Sequence, residues 1–161
     1  MLRKVLGTVG AVAGAVLLSG CSAVDLPLAA VTVNADGAPR ALIRPCGDAG
    51  YQGLDLDGWT SSDEDETVTT GWDTEGERSG DAEFPLFSPP AAWKAEPRGE
   101  QRLLPGRSYL LSFGQYGSGD DLNGKVAFTA ADIAGLEPGQ VWADDRAMSL
   151  EEFEELAEES C

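Results

Sequence analysis

The chain has no histidine among its 161 residues. That absence removes the Ser-His-Asp and Cys-His catalytic engines and every metal site built on imidazole. Basic residues are also scarce: 11 Lys and Arg stand against 28 Asp and Glu, a formal net charge of −17. Nucleic-acid binding, which rests on cationic side chains neutralising phosphates, is therefore not expected. The same field repels anionic lipid headgroups within a Debye length, about 10 Å at 0.1 M salt. Only three cysteines are present and no two form a Cys-x-x-Cys pair, so neither a redox motif nor a thiolate metal site is expected. No cofactor is implied. Long apolar runs are missing too. The longest, residues 5–17, falls short of the roughly 20 residues a membrane-spanning helix needs.

That short run has a context. Arg3 and Lys4 precede it and Leu18-Ser19-Gly20-Cys21 closes it, which is the charged, apolar and small-residue order of an export signal. The four closing residues resemble the lipobox of bacterial lipoproteins. The resemblance implies cleavage after Gly20, a diacylglyceryl group on the thiol of Cys21, and a lipid anchor on the extracytoplasmic face of the cell membrane. Residues 1–20 then form the signal peptide. Two or three acyl chains, at about 0.8 kcal/mol per buried methylene, make such an anchor stable.

With Cys21 assigned to the lipid, Cys46 and Cys161 remain as a pair in a compartment that permits disulfides. A bridge between them would enclose most of the chain beyond the leader, which at about 140 residues suits one domain with one core.

Residues 21–30, small and interrupted by Pro27, read as a lipidated tether, leaving 31–161 as the domain. Val31-Thr32-Val33, the turn dipeptide Asp36-Gly37 and Ala41-Leu42-Ile43 predict a hairpin. Further strands are expected at 53–59, 67–72, 109–113, 125–129 and 141–142. Residues 84–87 are confined to a sheet edge by Pro85. Asn123-Gly124 has the composition of a two-residue hairpin turn before the strand 125–129. The chain end changes character. Ser149 and Glu152 form a capping box, and Leu150, Phe153, Leu156 and Ala157 make one apolar stripe, predicting a helix over 149–160.

Leu103, Pro105 and Tyr109 resemble the Leu-x-Pro-x-x-x-Tyr corner of fibronectin type III and related immunoglobulin-like domains, where the tyrosine hydroxyl bonds back to the crossing loop. The resemblance implies a mainly β fold, an immunoglobulin-like antiparallel β-sandwich, with the short helix appended.

Carboxylates are plentiful enough for a glycosidase-like pair, but none is marked as buried, so a solvated acidic surface is favoured. Asp55, Asp57, Asp63 and Glu66 fall at EF-hand positions 1, 3, 9 and 12, yet Trp59 stands at position 5 and Thr60 replaces the required glycine, so a calcium loop is disfavoured. The glycine-rich stretch from Gly114 to Gly119 runs into Asp120 and Asp121 without a following helix, which excludes a phosphate cradle. Of the four tryptophans, Trp72 sits between threonines and Asp73 and is the one expected to leave the core. The expected recognition surface therefore comprises Asp63, Glu64, Asp65, Trp72, Asp120 and Asp121, contributed by loops at one end of the sandwich.

Taken together, the lipobox, the hairpin into Pro45-Cys46, Pro89-Pro90-x-x-Trp93, the tyrosine corner and the cysteine-ended tail are similar to the small secreted lipoproteins of actinobacteria. That similarity implies a membrane-anchored, non-enzymatic binding or structural module, with a basic protein or envelope component as partner. The alternatives are a carboxylate-dependent wall hydrolase and a sugar- or calcium-binding module.

Overall fold

The computed structural model describes residues 22–60, 67–117 and 121–161. In chain order the elements are β1 (Val24–Leu26), β2 (Ala29–Val33), β3 (Pro39–Ile43), β4 (Gln52–Thr60), β5 (Thr70–Asp73), β6 (Ala82–Pro85), β7 (Glu96–Arg98), β8 (Arg107–Gln115), β9 (Leu122–Thr129), α1 (Ala130–Ala134), β10 (Gln140–Ala143), β11 (Arg146–Ser149) and α2 (Leu150–Ser160). One sheet has the order β1-β9-β8-β4-β5-β7 and the other β11-β10-β2-β3-β6. Within them, β2-β3-β6 facing β9-β8-β4-β5 is a Greek-key sandwich of the immunoglobulin-like kind.

The alternation of β4 shows why the sheets face each other. Leu54 and Leu56 are fully buried while Asp55 and Asp57 alternate with them on the other face, as the two-residue period of a strand requires. Leu111, Phe113, Val126 and Phe128 extend the same buried layer across β8 and β9. From the other sheet come Val31, Ala41, Ile43 and Phe84. The tyrosine corner is present: the Tyr109 hydroxyl accepts from the Leu104 N–H at 2.9 Å and donates to the Arg102 carbonyl at 3.2 Å.

Ala30 and Leu42 pair across β2 and β3, are buried, and point away from the sandwich interior. A third layer covers that face. The helix α2 packs on β10 and β11 and buries Phe153 and Ala157. Ser149 caps it by accepting from the Glu152 N–H at 3.1 Å, while the Glu152 carboxylate pairs with Arg146 instead of closing the box. Arg44, just past β3, holds Glu154 of the helix at 2.7 Å. The Cys46–Cys161 disulfide clamps its far end, joining positions 115 residues apart.

Two expectations are corrected. The segment expected as a tether is part of the fold from residue 24: β1 pairs in parallel with β9, and Leu28, Ala29 and Ala30 are fully buried. Asn123-Gly124 is not a turn but lies inside β9, opposite Gly114 and Phe113. A Cβ at residue 124 would sit 2.3 Å from the Phe113 ring, so this glycine makes room across the strand pair. The strand expected at 141–142 is present as β10, which pairs with β2. Asp36-Gly37 does turn the β2–β3 hairpin, with Gly37 at φ 83°, and Pro85 does lie in an edge strand. The lipobox at residues 18–21, with Cys21, and the acidic stretch 61–66 lie outside the described residues.

Candidate functional site

The outer face of the six-stranded sheet carries an ordered set of charges. In one row across the strands stand Ser112, Asp55, Asp73 and Glu96, three carboxylates side by side. In the next row stand Leu110, Asp57, Gly71 and Arg98. Like charges directly opposite each other destabilise a sheet, so a cation is needed among them. Arg98 supplies it, reaching Asp57 at 2.5 Å and Asp73 at 3.3 Å. It reaches Asp57 across an intervening strand because Gly71 offers no side chain in between. Gly71 has little choice: at φ 118°, a Cβ there would fall 1.7 Å from the Leu56 carbonyl oxygen.

Among the described residues Asp55 has no ion pair of its own. Burial beneath its neighbours pushes its carboxyl up to about 6, partly offset by the hydroxyl of Ser112 donating at 2.9 Å, and Asp57 and Asp73 push in the same direction as burial. Lys125, opposite Ser112 on β9, is drawn instead to Asp25 at 2.6 Å, and with Asn123 it holds the Asp25 carboxyl below its usual range.

The charged rows run into a depression of about 450 Å³ lined by Asp73, Glu75, Glu96, Trp93 and Lys94. Three carboxylates against the single cation Lys94 leave it net negative and receptive to a cation. The Trp93 ring already carries a cation of the protein's own, the Arg78 guanidinium at 4.8 Å from its centroid. Among the described residues no cluster of Asp, Glu or Cys is arranged to hold a metal ion.

The surface expected from the sequence is not assembled in this way. Asp63, Glu64, Asp65 and Asp120 lie outside the described residues. Asp121 is exposed at the start of β9, where its carboxylate accepts weakly from the Gly117 N–H. Trp72, expected outside the core, is 1% exposed; its indole N–H donates to the Leu86 carbonyl at 2.8 Å and its ring meets Phe84 edge-on. The other three tryptophans are half-buried. The polar neighbours of Trp72 mislead because β5 is buried from Thr70 to Trp72, Thr70 included.

The described residues that lead into the two acidic stretches lie at opposite ends of β8. Thr60, before the first, opposes Arg107, while Gln115, before the second, opposes Leu122. Arg107 and Gln115 are the two ends of β8, roughly 26 Å apart at strand rise. The set on the sheet face had one sequence signal, the two-residue spacing of Asp55 and Asp57 within a strand. Arg98 had none, since its role depends on register across two neighbours.

Comparisons with protein-family models, with curated proteins and with solved structures gave no match to this chain.

Proposed function

We propose that this protein is an extracytoplasmic lipoprotein, anchored through Cys21, that serves as a non-enzymatic binding or structural module for cationic partners in the cell envelope. The observation that carries the reading is the depression lined by Asp73, Glu75, Glu96, Trp93 and Lys94, continuous with the Asp55–Asp57 rows. A lysine or arginine side chain of a partner fits it by charge, three carboxylates outweighing Lys94, on a chain whose net charge of −17 draws such partners in.

Two measurements test the proposal. Mass spectrometry of membrane-extracted protein is expected to show a chain starting at an acylated Cys21; an unmodified leader contradicts it. Partner recovery is expected to fall steeply as salt approaches 1 M, where the Debye length is about 3 Å. Recovery indifferent to salt contradicts charge-led binding.

The hydrolase alternative has one observation in its favour, the raised Asp55 carboxyl beside two other carboxylates. Asp55 lies on a sheet face, and it lines none of the depressions described here. Turnover of a wall glycan that Asp55→Asn abolishes would establish that alternative.

A further inference from the structure

Only Ser22 and Ala23 separate Cys21 from Val24, the first residue of β1. Three residue steps span at most about 11 Å when fully extended. The strand they lead into is tied to the sheet: Val24 pairs with Leu122, its N–H donates to the Asp121 carbonyl at 3.0 Å, and Asp25 holds Lys125 at 2.6 Å. Leu122 in turn lies opposite Gln115. A lipid on Cys21 therefore keeps one corner of the six-stranded sheet, the start of β1 and β9 with the end of β8, close to the bilayer.

That corner carries the two most exposed large apolar side chains among the described residues, Val24 at 55% and Tyr116 at 51%. Val24 pairs with Leu122 and Tyr116 follows Gln115, so the two flank one cross-strand pair. Tyr116 is not loose. Its ring lies over the bare backbone of Gly114, where a Cβ would fall 2.3 Å from a ring carbon. Its hydroxyl donates to Asn123 Oδ1 at 3.0 Å, and the Asn123 amide donates to Asp25 at 3.2 Å. Of the two acids beside Val24, Asp25 is paired with Lys125, and Asp121 has no ion pair among the described residues. Repulsion of Asp121 by anionic headgroups acts over about 8 Å at physiological salt, and so short a tether cannot carry the corner far beyond that range.

We propose that this corner is a bilayer-contacting surface, with Val24 and Tyr116 seated at the level of the lipid headgroups. The inference rests on acylation of Cys21. The bilayer is the occupant by proximity: the anchor holds it against this corner at all times, and a soluble partner would have to displace it. Tyrosine suits the headgroup level because its ring is apolar and its tip polar. The contact also sets where a cationic partner is met. The row of Ser112, Asp55 and Asp73 crosses β8 three residues before Gln115, about 10 Å away at strand rise, so it stands near the headgroups.

The test uses the full acylated protein in phosphatidylcholine nanodiscs that carry a trace of lipid with a gadolinium chelate on its headgroup. Paramagnetic broadening of amide resonances falls with the sixth power of distance. It is expected to be at least about tenfold stronger at Val24, Tyr116 and Leu122 than at Arg107 and Thr129, which lie at the other end of the strands, roughly 26 Å away. The double substitution Val24→Ser with Tyr116→Ser is expected to reduce broadening at Leu122 at least about twofold, with circular dichroism unchanged. Equal broadening at both ends overturns the proposal, as does broadening strongest at Asp144 and Asp145 between β10 and β11, or a variant indistinguishable from the parent. Mass spectrometry of the same sample separates the two readings. An acylated chain without the gradient overturns this inference alone, whereas an unacylated Cys21 overturns both.

Discussion

Arg98 grips Asp57 from two strands away, over the bare backbone of Gly71, at 2.5 Å. The same guanidinium steadies Asp73 at 3.3 Å, while Asp55, the more buried carboxylate beside them, has no ion pair of its own among the described residues. Consequences follow for stability, for the tolerance of the sheet and for binding.

Asp55 is held up to about 6 in the fold, against 3.8 for an ordinary aspartate. The folded state therefore binds the proton more tightly than the unfolded chain does. Its contribution is fully present below about pH 4 and is lost as pH rises through about 6. Asp55→Asn keeps an acceptor for Ser112 and removes the charge. The variant is expected to be more stable than the parent at pH 7.5, by about 1–2 kcal/mol once partial solvation is allowed for, and equal to it near pH 3.5. Urea denaturation at the two pH values reads the difference.

Gly71→Ala is expected to cost at least about 2 kcal/mol, because the methyl group would meet the Leu56 carbonyl and the backbone is left-handed. Gly37→Ala, equally left-handed but with nothing within 4 Å, isolates the strain from the clash and is expected to cost less. Thermal melts of the pair separate the two causes.

Replacing both Cys46 and Cys161 with serine removes a bridge spanning 115 residues. The chain-entropy treatment sets an upper figure near 4.7 kcal/mol for a loop of about 100 residues. Because α2 has only 11 residues and its last turn carries Glu158 and Glu159 against the helix dipole, it depends on docking. Hydrogen exchange is expected to speed first in α2, before β4 or β8. Uniform acceleration across all elements would contradict this.

How much of this was legible in the residues depends on the range of each interaction. Ser149, Asp36-Gly37 and the Leu103 to Tyr109 corner act within a few residues, and the structure places each as its local chemistry demands. Asn123-Gly124 has equally good turn chemistry, but the glycine answers to the Phe113 ring on the facing strand, which no local pattern reveals. Val24–Leu26 looked like a tether because a parallel partner, β9, lies nearly a hundred residues on. The polar neighbours of Trp72 mislead because Thr70, two residues away on the same face of the strand, is itself buried. Of the charged rows, Asp55 and Asp57 were visible as a pair, but the ion-pairing hand of Arg98 and the approach of Trp93 needed the register.

The central claim is that the depression at Asp73, Glu75, Glu96 and Trp93 receives cationic side chains. The most direct measurement is a titration of the protein with hexalysine followed by amide chemical shifts, at physiological salt and at pH 5 and 7. Shifts are expected to concentrate on β5, β7 and Trp93, with tighter binding at pH 7, where Asp55 is ionised and adds to the attraction. Shifts spread evenly over the acidic surface, or absent from Trp93 at both pH values, would contradict the account.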